Sequence, residues 1–341
     1  MMKEGVFIIS LDFELHWGVF EKVNESSPYM ENLRNTPDVI ERTLQVFKKR
    51  QISATWATVG FLFAENDDMR KKFEPRIKPN YKNANSNPYL LNTGKNENED
   101  PIHYAHSLIK KIKSTPGQEI ATHTFSHFFC REESATIEAF NSDLESAIKI
   151  AKTQDQEIYS IVFPRNQLIQ EYIDLLPKHG IKVFRGAEKG WMYTGIKANN
   201  RSKLSITRQK MNKAGRIVDS YLPITGSNTW SVSELSVESG KPINVPASLF
   251  LRPYNPRLKN LDWLKYKRIK NQIKHAARNG KMVHLRWHPH NFGSYADENI
   301  AFLEKILDFF EECRSEYKMK SITMYEYADF LEKTNKPTEF I

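Results

Sequence analysis

The stretch GVFIISLDFELHWG, residues 5–18, runs an apolar segment into two carboxylates and an imidazole. The apolar part reads as a buried strand, rich in β-branched and aromatic residues. Asp12, Glu14 and His16 follow at alternate positions, so a continuing strand would present all three on one face. In parallel α/β architectures reacting groups gather where strands end and loops begin, at the C-terminal edge of the sheet. Such an edge needs a parallel sheet behind it.

The rest of the chain supplies one. Strand candidates are SATWATVGF (53–61), QEIATHT (118–124), IYSIVFPR (158–165), IKVFRG (181–186), DSYLPIT (219–225), NVPASLFLRP (244–253), KMVHLRWHP (281–289) and SITMY (321–325). Helices are expected between many of them. In residues 299–317, Ile300, Leu303, Ile306, Leu307 and Phe310 recur at the spacing of one buried helical face. Similar patterns occupy 137–154 and 37–50, where Pro37 suits a first helical turn. Strand, helix, strand in regular order predicts an α/β fold with a mostly parallel sheet, open or closed into a barrel. Two excursions interrupt the order: the polar, turn-rich 64–100 and the basic, weakly patterned 199–216. The strand pattern resumes after each, so 1–341 reads as one domain, and a loop as long as the first is more often functional than incidental.

With 341 residues the chain can bury a large core. Cys130 and Cys313 fit neither a ligand spacing nor a disulfide framework and read as thiols in a reducing compartment, hence the cytoplasm. The N-terminal apolar run is short and broken by acids, and no stretch is long enough to span a bilayer, so neither secretion by a signal peptide nor integral insertion is expected. A net charge of +9, with basic clusters at 48–50, 70–78 and 265–281, favours anionic partners: sugar nucleotides, lipid diphosphates, acidic glycans or an anionic membrane face. Charge alone also admits nucleic acid, which is not among the partners expected, and solvated helix faces with no partner account equally for the clusters.

The reactive residues concentrate at strand ends. Six of the ten histidines fall in three short stretches: His16, then His123 and His127, then His284, His288 and His290. His123 and His127, in HTFSH, form an H-x-x-x-H pair; on one helical turn after the strand both imidazoles would reach one metal ion. Two histidines without a ligand are the bland alternative. Glu14 as a third, oxygen ligand completes a two-histidine, one-carboxylate set with open positions, the pattern of a catalytic zinc or similar divalent site. Asp12, on the same strand face, is the candidate general base for an activated water. Alternatively both acids merely cap a turn. His288 is the candidate acid for the leaving group, facing the metal from the opposite wall, with His284 and His290 not excluded by position. Arg165 could hold the Asp12 carboxylate by a bidentate pair, with Arg185 competing for the role. Trp17, Trp56, Trp191 and Trp287 offer platforms for a sugar ring, or are simply core.

With these residues in hand, the sequence resembles the polysaccharide deacetylases, the carbohydrate esterase family 4 or NodB-homology domain. The resemblance rests on LDFE in the opening strand, SATWATVGFLF as the second, HTFSH as the second motif, MVHLRWHP as the closing strand, and MKSITMYEYADFLEK as a terminal strand and helix. It implies a distorted (β/α)7 barrel with inserted loops, and removal of an acetyl group from an N- or O-acetylated sugar. It also implies Asp12 as base, Glu14, His123 and His127 as ligands of a divalent metal (zinc, with cobalt, nickel or manganese as alternatives), and His288 as acid. Arg165, which follows Pro164, takes the third-motif place; Trp17, Arg185 and Trp287 are the expected substrate contacts. The fourth motif has no clear match, LDWL at 261–264 being a weak candidate that begins a helix. The expectation is a cytoplasmic sugar N-deacetylase of surface-polysaccharide biosynthesis, acting on a nucleotide- or lipid-diphosphate-linked sugar, with peripheral contact to an anionic membrane. The alternatives are an amidase for a cyclic or non-carbohydrate amide and a sugar-binding assembly protein without turnover.

Overall fold

A computed structural model describes residues 4–193 and 203–335, with the side chains of 203–210 and 335 left aside. In chain order the strands are β1 (Val6–Phe13), β2 (Ala54–Thr58), β3 (Gln118–Thr122), β4 (Ser160–Ile161), β5 (Val183–Phe184), β6 (Ile243–Asn244), β7 (Leu249–Phe250), β8 (Met282–Trp287) and β9 (Lys320–Ser321). The helices are α1 (Met30–Arg34), α2 (Thr36–Arg50), α3 (Asp67–Lys72), α4 (His106–Ser114), α5 (Ile137–Lys152), α6 (Gln170–Ile173), α7 (Lys203–Asp219), α8 (Asp262–Asn279), α9 (Ala296–Tyr317) and α10 (Met324–Asn335).

The strands run in the order β6-β5-β4-β3-β2-β1-β8-β7, every pair parallel, with β9 against β1. The two ends of that path belong to one segment. Ile243, Val245 and Ala247 donate their N–H groups to Lys182, Phe184 and Gly186, whereas Ser248 and Leu251 donate to His284 and Arg286. Residues 243–251 thus pair first with one neighbour and then with the other, closing the sheet into a distorted (β/α)7 barrel with Pro246 at the crossing.

All eight residues of β1 are buried, because both faces are covered. Phe7, Ile9, Leu11 and Phe13 pack outward with residues of α2, α8 and α9. Val6 and Ile8 face inward, with Ala57, Ala121, Val162, Val183, Ile243 and Met282. Met324, Tyr327, Ala328 and Leu331 of α10 join this inner cluster and plug one end of the barrel.

Two expected elements differ. DSYLPIT is the end of α7 and a turn: Pro223 cannot donate to a ladder, and buried Asp219 accepts from the N–H and hydroxyl of Thr225. SITMY contributes only Ser321 to β9, since Thr323 and Glu326 form a capping box that starts α10. The excursion at 64–100 carries α3 and two short 3-10 turns, and Tyr89 and Leu91 pack against the core. The second excursion, 199–216, belongs from 203 onward to α7, while 199–202 lie outside the described residues.

Candidate active site

Even-numbered residues of β1 enter the barrel, so Ser10, Asp12 and then Glu14 rise in succession toward its C-terminal mouth. Glu14 meets His123 and His127 there. Its Oε2 lies 3.2 Å from His123 Nε2 and 3.1 Å from His127 Nε2, and all three residues are buried. One donor atom from each falls within 4.8 Å of the others.

The segment that carries the two histidines is not a helical turn, as their spacing suggested. After β3 the chain bends, with Thr124 and His127 at positive φ of 63° and 57°. Asp143 of α5 holds this bend: its carboxylate accepts from Phe125 N (2.6 Å), Ser126 N (3.2 Å) and Ser126 Oγ (2.5 Å). Burial pushes Asp143 up to about 6 despite these donors. Thr124 Oγ1 accepts from Phe128 N at 2.8 Å and completes the brace.

These residues fit a divalent cation. His123 Nδ1 lies 2.8 Å from the Val162 carbonyl, which can only accept, so a neutral imidazole turns a lone pair at Nε2 toward the carboxylate. His127 Nδ1 has no partner among the described residues. Lone pairs converging on a buried carboxylate repel unless a cation or proton lies between them. Two imidazoles and one carboxylate suit zinc and its neighbours in size and softness.

Asp12 is fixed from the other side, and by Arg185. The guanidinium spans both carboxylate oxygens, at 2.5 and 2.8 Å, and also reaches Ser10 Oγ (2.9 Å) and Asn166 Oδ1 (3.1 Å). Burial alone would raise the Asp12 carboxyl; Arg185 and His288 outweigh it and hold the group well below the usual carboxylate range. Arg185 is itself 1% exposed, so it supports Asp12 and is not a surface for substrate. Arg165, expected to hold Asp12, does not reach it. Its backbone turns to a φ of 57°, and its side chain pairs with Glu21 and lies 3.9 Å from the centre of the Phe129 ring, at the cavity mouth.

His288 Nε2 stands 3.5 Å from Asp12 Oδ2 and 3.6 Å from Glu14 Oε1. It arrives on β8, the strand beside β1, and so flanks the acids instead of facing them from the opposite wall. His290 is farther, 3.9 Å from Glu14, and burial lowers it to about 3. His284 lies deeper, 2.8 Å from Ser10 Oγ, and burial likewise lowers it to about 3.

Trp17 and Trp287 are wholly buried and present no face to a sugar. Trp287 has the outward parity of β8, with Val283 and Leu285, and stacks on Phe292. Trp17 packs on Phe61 and donates to the His103 carbonyl at 2.9 Å. Trp56 is buried too, and Trp191 is exposed.

A cavity of about 510 Å³ opens over the cluster, lined by Glu14, His127, His288, Phe250, Tyr29 and Arg165, among others. Its wall comes from residues 18–29 following β1; no residue of the 64–100 excursion lines it. That wall is tied down by a buried chain: Asp100 to His103 (2.7 Å), His103 to His16 (2.7 Å) and His16 to the Val23 carbonyl (2.8 Å). His16, which sequence spacing grouped with the acids, therefore belongs to the wall.

No protein-family model matches the chain, and no curated protein matches it in sequence. Solved structures match its fold. A protein assigned as a polysaccharide deacetylase from Mycobacterium smegmatis aligns with a TM-score of 0.60 at 12% identity, covering 99% of this chain and 94% of that one. The Puue allantoinase aligns at 0.54 and 11% identity, covering 98% and 91%. A second protein assigned as a polysaccharide deacetylase, from Pseudomonas aeruginosa PAO1, aligns at 0.51 and 10% identity, covering 98% and 92%. A distorted parallel barrel is the fold this chain has in common with these structures.

Proposed function

We propose that this chain is a metal-dependent hydrolase that removes the acetyl group of an N-acetylated sugar, in the assembly of a bacterial surface polysaccharide such as O-antigen or capsule. One observation carries the reading: an ionised, guanidinium-clamped Asp12 and a solvent-reaching His288 flank the Glu14, His123 and His127 cluster within one cavity. A divalent ion held by Glu14, His123 and His127 would polarise the acetyl carbonyl and make water more acidic. Asp12 accepts the proton of the attacking water, and Arg185 keeps its carboxylate oriented and ionised until then. His288, 24% exposed at its side chain, gives a proton to the departing amine as the C–N bond breaks and acetate forms. A sugar-binding protein without turnover would need no such set. The two free, buried cysteines agree with a reducing, cytoplasmic setting, and no helix among the described residues is long and apolar enough to cross a membrane.

The test is elemental analysis of wild type and of the His123→Ala/His127→Ala variant, with acetate release from a panel of UDP-N-acetyl sugars. We expect about one ion per chain, lost in the variant, and acetate from at least one sugar. A wild type that takes up no zinc and releases no acetate would end this reading. Ring opening of allantoin by the same preparation, without acetate release, would favour the cyclic-amide alternative instead.

A further inference from the structure

Near Phe250, among the described residues, two cations have no matching carboxylate. Phe250 lines the cavity, its ring centre 5.6 Å from that of His288. The same ring lies 5.1 Å from the Arg286 guanidinium carbon and 5.8 Å from that of Arg252. The acids of this region are already matched to cations. Glu188 takes two bonds from Arg286 at 2.9 and 2.6 Å, Asp219 faces Arg268 at 3.4 Å, Asp262 faces Lys265 at 2.9 Å, and Glu234 is held by Lys189. Arg252 and Arg216 are left over: among the described residues no carboxylate pairs with either.

Ser220 links the Arg252 side chain to the backbone of Arg216. Arg252 donates through Nε to Ser220 Oγ at 2.6 Å, and that hydroxyl donates to the Arg216 carbonyl at 2.8 Å. Arg216 spends its Nε on the Asn212 carbonyl at 3.3 Å. Each guanidinium so keeps its terminal nitrogens for another acceptor, on half-buried side chains. Burial disfavours the Arg252 cation; Tyr193 and Tyr221 offset part of this, and Arg216 and Arg286 add to it. A partly desolvated pair of like charges persists most cheaply where an anion comes to it.

We propose that Arg252 and Arg216 form a phosphate-binding subsite, next to Phe250 of the cavity wall, that receives the phosphate or diphosphate on which the acetylated sugar is carried. The inference rests on sugar deacetylation as the reaction. Guanidinium forks match phosphate oxygens bidentately, and the Phe250 ring, close to both Arg252 and His288, offers an apolar face to a sugar ring. Phosphate at one end and the acetyl group at the other would fix which substituent of the sugar meets Asp12 and His288.

Calorimetric titration of the intact protein with inorganic pyrophosphate tests this. Titrations use wild type, Arg252→Gln, Arg252→Lys, Arg216→Gln and, as a control for net charge, Lys152→Gln on the exposed face of α5. We expect binding by wild type, weakened about tenfold or more by either glutamine substitution, partly restored by Arg252→Lys, and unmoved by Lys152→Gln. Thermal unfolding midpoints confirm that the variants are folded. The same titration on His123→Ala/His127→Ala removes pyrophosphate binding to a metal ion, and there binding must persist. Absence of binding, or equal binding in all variants, or equal weakening by Lys152→Gln, overturns the subsite. UDP and farnesyl diphosphate, each competing with pyrophosphate, separate a nucleotide carrier from a polyprenyl one; displacement by either supports the subsite and displacement by neither overturns it. Loss of acetate release with pyrophosphate binding intact would sink the deacetylase reading and leave the anion site standing.

Discussion

Asp12 and Arg185 form a fully buried ion pair whose two members lie 173 positions apart. Such a pair adds little net stability, yet breaking it exposes its real weight. Arg185→Met strands a carboxylate in the barrel, and we expect a loss of about 3–5 kcal/mol by urea unfolding. Asp12→Asn keeps size but removes both the proposed base and the charge that pairs Arg185: kcat should fall about 10²–10⁴-fold while metal content stays at the wild-type level, read by acetate release and elemental analysis together. The acids and their face were legible in the sequence because strand parity is strict. The choice between Arg165 and Arg185 was not, since both end strands; a left-handed backbone at Arg165, invisible to pattern, turns it toward Glu21. Trp287 could have been excluded from the cavity by parity alone, as it alternates with His288.

At the scale of elements, the bend from His123 to His127 shows why spacing and conformation are different kinds of information. Four-residue spacing suggested a helical turn, but two left-handed residues and the Asp143 clamp bring the imidazoles together instead. Asp143 shares the inner face of α5 with Ala139 and Ala147, four residues to either side, so an acid among buried positions was the one signal available. It touches neither the cavity nor the ligand nitrogens. Given the proposed metal site, Asp143→Ala should nonetheless weaken zinc binding about 10–100-fold, measured by competition with a chelator, because His123 and His127 lose their brace. The short strands β4 to β7 were read as longer runs, since the same residues continue into flanking segments that still make scattered backbone hydrogen bonds to their neighbours.

The barrel as a whole carries an acid sensitivity at its centre. His284, under Ser10 and Arg185, is lowered by burial from the ordinary histidine value of 6.5 to about 3. Between those values the unfolded chain binds a proton that the folded chain refuses, so stability falls as pH drops from 6.5 toward 3, by about 1.4 kcal/mol per pH unit. His284→Gln should flatten that slope in urea unfolding series run between roughly pH 4 and 6. The parallel α/β class and the order of strands and helices along the chain follow from alternation, and the barrel and its terminal helix from the family resemblance; the shared segment that closes the ring follows from neither, because pairing on two sides leaves no mark on composition. Chain order has one further effect. Glu14, His123 and His127 are all translated with the first three strands, which are neighbours in the sheet, whereas Arg185, the closing segment and His288 come later. A nascent chain leaving the ribosome therefore owns Asp12 and all three residues of the Glu14, His123 and His127 cluster long before it owns Arg185, which clamps Asp12, or His288, the proposed acid.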